Sequence, residues 1–312
     1  MSKSEVNFYW EKPIDPLLIK VAWEDAFSRK ISNEQWIQLW DWRFLNNPFS
    51  DKIIAAYVLK SNTIACFYAV SPMLLLLPDG SIVKTGLMNM GFTHPQFRGK
   101  GYYIEINRQL NDQIKDMGFQ CIYGFANNNS HYSYRKYLQW KDISLLTNFQ
   151  LFKNNVKNTN DHMQDISSRL INLSDELIMC ISNYVITQRK YHILRSFDML
   201  KWRLLDHPLN DYNCIITYQG ESILAYTIFK TYMNNEADIM EIFYPSSEVN
   251  YLSSVIFSII DCLLKKGYKY INIWSNLYSE EHLILEKIGF QEQLANTYFG
   301  VISFSNLEGI IS

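Results

Sequence analysis

The sequence of 312 residues contains one pattern twice. At a shift of 160, Trp42-Arg43 falls on Trp202-Arg203, and the matches continue with Leu45 on Leu205, Pro48 on Pro208, Asp51 on Asp211 and Ala65 on Ala225. At a shift of 149 the later matches are Ile114 on Leu263, Gly118 on Gly267, Ile122 on Ile271, Asn127 on Asn276 and Ser130 on Ser279. Two matching blocks in the same order predict a duplicated fold.

The predicted helices and strands recur in the same order as the matching residues. In each half a helical stripe of apolar residues ends at a glycine (Gly118, Gly267), and a strand-like run and a short helix follow. Residues 153–165 are rich in Asn and Lys and poor in apolar residues, as linkers are. We therefore predict two domains, residues 1–152 and 165–312.

Composition limits the classes of protein that this chain can represent. Apolar residues make up 48% and charged residues 19%, with a net charge of −2, which is typical of a globular protein and disfavours a nucleic-acid partner. The five cysteines form no C-x-x-C pair, so we expect neither a disulfide framework nor a metal site. The sequence shows neither a signal peptide nor a membrane span, and we expect a soluble cytoplasmic protein without a membrane partner.

A basic glycine loop is the segment with the clearest chemistry. The apolar run 82–92 predicts a strand, Pro95 ends it, and an amphipathic helix begins near Gly101. Unpaired N–H groups at a helix start attract anions, and Gly99 and Gly101 let the backbone approach a phosphate closely. Arg98 and Lys100 add positive charge. Strand, loop and helix in this order predict a phosphate-binding site.

The motif Pro95-Gln-Phe-Arg-Gly-Lys-Gly101 resembles the pyrophosphate loop of GNAT acyltransferases, P-x-x-R-G-x-G. A second segment, from Asn127 and Ser130 to Leu138-Gln-Trp140, is similar to that family's N-x-x-S and L-G-W signature. The resemblance implies an α/β fold with two tandem GNAT-like domains, each a mixed twisted sheet flanked by helices. It also implies an N-acyltransferase that uses acyl-coenzyme A as co-substrate and no metal.

Site residues follow from the same resemblance. The coenzyme-binding residues that it implies are Phe92, Thr93, Gln96, Arg98, Gly99, Lys100, Gly101, Tyr102, Tyr103, Asn127 and Ser130. Asn127 and Ser130 have an alternative interpretation as a helix cap, where both residue types are favoured. Tyr134 is the candidate general acid, with Tyr137 in reserve and packing as the alternative role for both.

The general base is less defined. The strand before the loop contains no Asp or Glu, which leaves Asn89 as its polar candidate, while His94 beside Pro95 is expected to be positional. Glu241, on the matching strand of the second half, is a further candidate. Because a sugar amine is less basic than lysine, proximity can replace a strong base, and we expect none.

The second half has Tyr-Pro-Ser-Ser-Glu-Val-Asn at 244–250, where its own loop is expected. This segment contains neither glycine nor positive charge, so we predict one coenzyme per chain. The second half is then expected to form a wall of the acceptor pocket, with Trp274 and Tyr232 as candidate substrate-binding aromatics.

Several acceptors are compatible with a two-copy protein of this resemblance. A tRNA-dependent transferase would need a basic face and would lack a coenzyme loop, whereas this sequence shows no basic face and contains the loop. An aminoglycoside acetyltransferase would need an acidic cluster, and none is evident in the sequence. We predict a dTDP-linked amino sugar such as a 3-amino-3,6-dideoxyhexose. An aminoglycoside or lysine N-acetyltransferase and a non-catalytic acyl-CoA-binding scaffold remain as alternatives.

Overall fold

A computed structural model describes residues 5–157, 165–186, 192–245 and 251–305. The segment 246–250, which includes most of the expected second loop, lies outside the described residues. Within the described ranges, no helix combines the length and the apolar character that a bilayer crossing requires.

Residues 5–157 form six strands and four α-helices. The strands are β1 (Val6–Phe8), β2 (Ala55–Lys60), β3 (Thr63–Leu76), β4 (Ile82–Thr93), β5 (Cys121–Ala126) and β6 (Lys141–Phe152). The helices are α1 (Pro16–Phe27), α2 (Asn33–Trp40), α3 (Tyr102–Asp116) and α4 (Asn128–Tyr137), with a π-helical turn (Asp41–Leu45) after α2 and 3-10 turns at Pro95–Phe97 and Lys153–Asn155.

The described parts of residues 165–305 form the remaining elements. The strands are β7 (Ile166–Asn172), β8 (His192–Ile193), β9 (Tyr212–Gln219), β10 (Ser222–Tyr232), β11 (Glu236–Phe243), β12 (Tyr270–Asn276) and β13 (Gln291–Ser303). The helices are α5 (Asp175–Ile186), α6 (Phe197–Leu204), α7 (Leu252–Lys265) and α8 (Glu280–Ile288).

All the strands belong to one sheet in the order β1-β2-β3-β4-β5-β13-β6-β12-β11-β10-β9-β7, and β8 pairs with β3. The last strand of each half lies next to the second-last strand of the other half. β13 pairs antiparallel with β5, and β6 pairs antiparallel with β12. The predicted domains 1–152 and 165–312 are continuous in sequence. In the sheet, however, the last strand of each half is placed among the strands of the other half.

Both halves also contain the same irregularities. In β3, Ala65 is the extra residue of a β-bulge opposite β2, and Leu224 is the extra residue at the matching point of β10. In β4, Asn89 is the extra residue opposite Ala69 and Val70, and Met240 is its counterpart in β11. β-Bulges occur at specific places in a fold. Their recurrence at matching places in the two halves is therefore a structural similarity that does not depend on the residue matches in the sequence.

Helices cover the two faces of the sheet unevenly. α1 and α2 pack on one face through Ile19 and Trp36, while α3 packs on the other through Ile106 and Leu110. Met73 of β3 faces the same way as Ala69 beneath α1 and α2, and it joins the cluster of α5 and α6. We call this shared side, with α1, α2, α5 and α6, the front face. α7 covers the opposite face in the second half.

The two halves meet on the front face through a symmetric tryptophan pair. The rings of Trp42 and Trp202 stack with centroids 4.9 Å apart. Each indole Nε1 donates a 2.7 Å hydrogen bond to the backbone carbonyl of the other tryptophan. These two residues also match at a shift of 160 in the sequence, so the contact is self-complementary, like one across a two-fold axis.

Candidate functional site

β4 and β5 pair only over their first residues. The parallel register runs from Thr85 opposite Cys121 to Leu87 opposite Tyr123. The bulge at Asn89 follows almost at once in β4, and bulges bend a strand and disrupt its ladder. The far ends of β4 and β5 are therefore unpaired with each other, and the glycine loop begins at that end of β4.

The glycine loop has the backbone geometry that an anion site requires. Gly99 has a φ of +75° and Gly101 a φ of +79°, and apart from the adjoining residues no described atom lies within 4 Å of the position a Cβ would take. Gly101 is the N-cap of α3 and no side chain caps that helix. The first N–H groups of α3 are therefore open to a phosphate, which fits the predicted pyrophosphate site.

The polar side chains of the loop differ in their contacts: Arg98 is hydrogen-bonded to the protein, whereas Gln96 and Lys100 are exposed. Arg98 donates from Nε to the carbonyl of Thr93 at 3.4 Å and from a terminal nitrogen to the carbonyl of Ala26 at 3.0 Å. Arg98 thus ties the loop to the end of α1 in this structure. The Lys100 ammonium lies 5.0 Å from the ring centroid of Phe97 and is exposed, as is Gln96.

The end of β4 that precedes the loop is anchored in the core. Phe92 is buried among α1 and α2, and the Thr93 hydroxyl contacts the Cys66 thiol at 3.6 Å. The His94 ring lies 3.2 Å from the carboxylate of Asp25 on α1, so His94 attaches the strand end to that helix. This contact agrees with the positional role expected for His94.

Asn127 and Ser130 form a helix cap in this structure. The Asn127 side chain accepts hydrogen bonds from the backbone N–H groups of Asn129 and Ser130, each at 3.1 Å, and is the N-cap of α4. The Ser130 hydroxyl donates back to Asn127. The alternative interpretation of these residues thus describes what their side chains do here, and a contact with coenzyme remains a prediction.

Tyr134 lies on the inner side of α4, next to the gap between β4 and β5. Its hydroxyl is 2.5 Å from the hydroxyl of Tyr103 on α3, and its ring stacks on Trp140 at 5.3 Å. Burial raises the pKa of Tyr134 to about 12. Tyr103 in turn lies against Gly91 of β4, where a Cβ would collide with its hydroxyl. Tyr137, the reserve candidate, is 40% exposed.

Another tyrosine completes this group. The Tyr68 ring is fully buried beside Tyr103, with centroids 6.1 Å apart. Its hydroxyl has no hydrogen-bond partner among the residues that the structure describes, which is unusual for a buried polar atom. The three hydroxyls therefore form a polar group inside an otherwise apolar region between α3, α4 and the sheet. The sequence patterns did not identify Tyr68, because a lone tyrosine in a strand has the pattern of a core residue.

Asn89 faces the front side of β4. Its amide nitrogen donates to the hydroxyl of Ser71 on β3, and its amide oxygen is buried with no partner in the described parts of the chain. A buried oxygen without a donor is costly unless a ligand supplies one. This position is compatible with a hydrogen bond from an incoming amine.

Glu241 forms an ion pair on the front face. Both of its carboxylate oxygens accept from Arg195, at 2.6 and 3.1 Å. Burial, the largest single influence, would lower the pKa of Arg195, but the charge and hydrogen bonds of Glu241 and the charge of Tyr123 together outweigh it, and the pKa is raised. A paired, hydrogen-bonded carboxylate is a weak proton acceptor. The structure thus gives Glu241 a structural partner that the sequence did not suggest.

Trp274 and Tyr232 both line a cavity of about 850 Å³ on the second half. Polar side chains of β11 and β12 form its floor: Asn272 donates to Glu236 at 2.5 Å and to Asp238 at 2.7 Å. The Tyr232 hydroxyl donates to Asp238 at 3.0 Å. Trp274 is 54% exposed and its ring lies 6.0 Å from Phe125 of β5, so the cavity adjoins the first half.

Comparison with known proteins identifies the fold. No protein-family model matches the sequence, and no curated protein matches it. A solved structure of a conserved protein of unknown function from Enterococcus faecalis V583, a probable N-acyltransferase, has a TM-score of 0.69 at 11% identity, over 97% of this chain and 73% of that chain. A GCN5-related N-acetyltransferase from Anabaena variabilis ATCC 29413 has a TM-score of 0.67 at 12% identity, over 95% of this chain and 72% of that chain. The predicted α/β class is confirmed, and the chain has the fold of these two proteins.

Proposed function

We propose that this protein is an acyl-CoA-dependent N-acyltransferase whose acceptor is the amino group of a nucleotide-linked sugar. The single observation that supports it most is the geometry of the loop after β4. Two positive-φ glycines and an uncapped N-terminus of α3 stand at the point where β4 and β5 diverge. The likeness in fold to two proteins described as N-acyltransferases supports the same activity.

The loop and the end of β4 would hold the donor. Backbone N–H groups of Tyr102 and Tyr103 at the start of α3 would bind the pyrophosphate, and Gly99 and Gly101 leave room for it. The backbone of Phe92 and Thr93 would pair with the amides of the pantetheine arm. A strand amide near the Asn89 bulge would stabilise the negative charge that develops on the thioester oxygen.

Tyr134 is the proposed general acid. Because its pKa is about 12, the hydroxyl keeps its proton at neutral pH and can donate it to the departing thiolate. The 2.5 Å contact with Tyr103 fixes the position of that hydroxyl. The proton donor is thus a residue that the fold holds rigidly, as general-acid catalysis requires.

No strong base is needed if the acceptor is a sugar amine. The unpartnered oxygen of Asn89 could accept one N–H of the neutral amine and orient its lone pair toward the thioester carbon. Glu241 is engaged by Arg195 and is proposed to shape the front face.

The acceptor assignment depends on the cavity beside Trp274. An exposed indole provides a surface on which a nucleotide base can stack, a contact worth about 1–3 kcal/mol for bases on aromatic side chains. Amide and carboxylate groups on the cavity floor suit sugar hydroxyls. We propose a dTDP-linked 3-amino-3,6-dideoxyhexose as the acceptor class.

Two tandem copies of the GNAT fold, of which only the first keeps its loop, are part of this proposal. The mirrored strand order, the recurring bulges and the Trp42–Trp202 contact support the duplication. An acceptor that touches both copies would explain why the second one persists without a coenzyme site.

A second candidate is an aminoglycoside or lysine N-acetyltransferase. Glu236 and Asp238 on the cavity floor favour a cationic acceptor, although Asn272 and Tyr232 already donate to them. A non-catalytic acyl-CoA-binding scaffold is the third candidate.

A thiol-release assay separates these candidates. Purified protein is incubated with acetyl-CoA, propionyl-CoA or butyryl-CoA and with dTDP-amino sugars, aminoglycosides or a lysine peptide. We expect thiol release with the dTDP-amino sugars alone. Release with aminoglycosides would support the second candidate. Calorimetric binding of CoA without release from any acceptor would support the scaffold, and absence of CoA binding would refute the proposed function.

A further inference from the structure

Two arginines beside the tryptophan pair have no counter-charge. Arg43 follows Trp42, and Arg203 follows Trp202, so the sequence repeat places one on each half. Within the described residues, no carboxylate forms an ion pair with either guanidinium and neither donates a hydrogen bond. The Arg43 guanidinium carbon lies 5.9 Å from the centroid of the Trp42 ring.

Arg195, on the same face, differs from these two arginines because it has a carboxylate partner. Arg195 is held by a bidentate ion pair with Glu241. Arg43 has no such partner, although surrounding protein lowers its pKa to about 10 by burial. Arg43 remains partly exposed to solvent, and an anionic ligand would supply the counter-charge that no described residue provides.

The arginines belong to a row of positive charge on the front face. His207 packs against Trp42, with ring centroids 4.2 Å apart and the ring planes tilted by 51°. Burial first, and then the charges of Arg43, Lys230 and Arg203, lower the pKa of His207 to about 4. These three cations are therefore close enough to act on one ring, and His207 itself is neutral at neutral pH.

The ends of the row coincide with two parts of the proposed site. Lys230 lines the cavity that also contains Trp274. Arg43 lines a small apolar recess of about 80 Å³, which Met90 of β4 also lines. Met90 is the residue directly after the Asn89 bulge. The row therefore runs from the cavity to the strand at which the thioester is proposed to lie.

We propose that Arg43 and Arg203 bind the diphosphate of the acceptor, between a base in the Trp274 cavity and an amino sugar at the Asn89 bulge. This inference rests on the proposed function and adds specificity residues to it. Arginine suits this role because its planar guanidinium donates two parallel hydrogen bonds to phosphate oxygens. Two guanidinium groups match the two negatively charged phosphates of a nucleotide sugar.

Calorimetry on the full chain tests the site. CoA is titrated first and kept at saturation so that it occupies the glycine loop, and dTDP is then titrated as the probe, with inorganic pyrophosphate as a competitor. Arg43→Met and Arg203→Met each remove one guanidinium from the row. Arg169→Met is the matched control, because Arg169 is exposed on β7, at the opposite edge of the sheet.

We expect dTDP to bind the wild type and Arg169→Met equally, and each row variant at least tenfold more weakly, with CoA affinity and melting temperature unchanged. Pyrophosphate should displace dTDP from the wild type. The inference is overturned if CoA-saturated wild type binds neither anion, or if both row variants bind dTDP as the wild type does. Should Arg43→Met fail to fold, Arg203→Met decides. A wild type that does not bind CoA overturns the proposed function itself, and that result is read from the first titration.

Discussion

At the scale of single residues, burial determines the chemistry available to Tyr134. Its hydroxyl is surrounded by Tyr103, Trp140 and the core, and it has a pKa of about 12. A phenol in this state keeps its proton at neutral pH, but it is a weaker acid than a thiol, whose ordinary pKa is about 8.5. Full proton transfer to the departing thiolate is therefore uphill, and the Tyr134 hydroxyl stabilises the developing thiolate first as a hydrogen-bond donor. The same residue would be a poor base or nucleophile at neutral pH.

Replacing Tyr134 by phenylalanine tests this role. We expect Tyr134→Phe to lower kcat by about 10²-fold, because the proton is needed only in the transition state, while acyl-CoA affinity stays within about twofold. Steady-state kinetics and calorimetry measure the two quantities. Tyr137→Phe is the control, since Tyr137 is on the same helix but exposed. Wild-type turnover in Tyr134→Phe would assign the proton to another donor.

The pH profile gives an independent check. The acid form of Tyr134 is present below its pKa of about 12, and the amine attacks only in its neutral form, above its own pKa. We therefore expect kcat/KM to rise with pH and to stay level up to about pH 10, whereas an unburied tyrosine would begin to ionise there. A descending limb near pH 9 that is absent in Tyr134→Phe would contradict the pKa assigned to this residue.

Single residues were predictable from sequence where a local motif names them. Gly99 and Gly101 were predicted to let the backbone approach a phosphate closely, and both have a positive φ that favours glycine. Asn89 and Tyr68 gain their importance from contacts with distant parts of the chain, Ser71 and Tyr103 respectively. No local spacing encodes such contacts, so sequence patterns could not rank them.

At the scale of elements, the unit β4–loop–α3 determines where an anion can bind. β4 ends at Thr93, α3 begins at Tyr102, and the loop between them has two glycines in the left-handed region. The helix start has no side-chain cap, which leaves its N–H groups for a ligand.

A valine in the loop would disturb this geometry. We expect Gly101→Val to reduce acyl-CoA affinity at least tenfold, about 1.4 kcal/mol, because a β-branched residue is strained at a φ of +79° and its side chain would stand in the phosphate space. Gly80→Val is the matched control: Gly80 has a φ of +82° and open surroundings, but it lies at the other end of β4. Equal CoA affinities for the two variants in calorimetry would contradict the loop assignment.

Most elements were predictable because their apolar period is strong. The predicted strand 82–92 and the helix from about Gly101 agree with β4 (Ile82–Thr93) and α3 (Tyr102–Asp116). The strand-like runs that follow Gly118 and Gly267 in the sequence form strands that begin at Cys121 and Tyr270. The bulges at Asn89 and Met240 were not predictable, since one extra residue in a strand leaves its composition unchanged.

At the scale of the whole molecule, the exchanged strands make the halves dependent on each other. β13 covers the edge of β5, and β6 is enclosed between β13 and β12. Sequence periodicity identifies β6 and β13 as strands but does not say which neighbour each one takes. The sequence patterns therefore predicted a repeat but not this exchange of strands.

Separating the halves tests this dependence. We expect residues 1–157 and 158–312, expressed alone, to aggregate, because β5 and β12 would each expose an unpaired edge. Co-expression should yield a soluble 1:1 complex that binds CoA. Size-exclusion chromatography and circular dichroism report both outcomes. A monomeric, folded 1–157 fragment would show that the exchanged strand is dispensable.

Stoichiometry provides a second test at this scale. We expect one acyl-CoA per chain in calorimetry, because the segment 244–250 contains no glycine and no cation. The Gly101→Val variant, in which the first loop is impaired, should then show no residual tight site. Two coenzymes per chain would contradict the assignment of a single loop.

The Trp42–Trp202 contact has a consequence for how this protein can change over time. Contacts of this self-complementary kind are typical of homodimers, in which every substitution appears twice, so a mutation that ruins one loop ruins both. In the duplication that we propose, both copies lie in a single chain, so the two members of the pair mutate independently while their covalent connection keeps them together at a high effective concentration. One copy can then lose its phosphate chemistry and acquire side chains for another ligand without weakening the partnership. In a single chain, one copy can keep the coenzyme site while the other binds a different ligand, so neither copy has to do both.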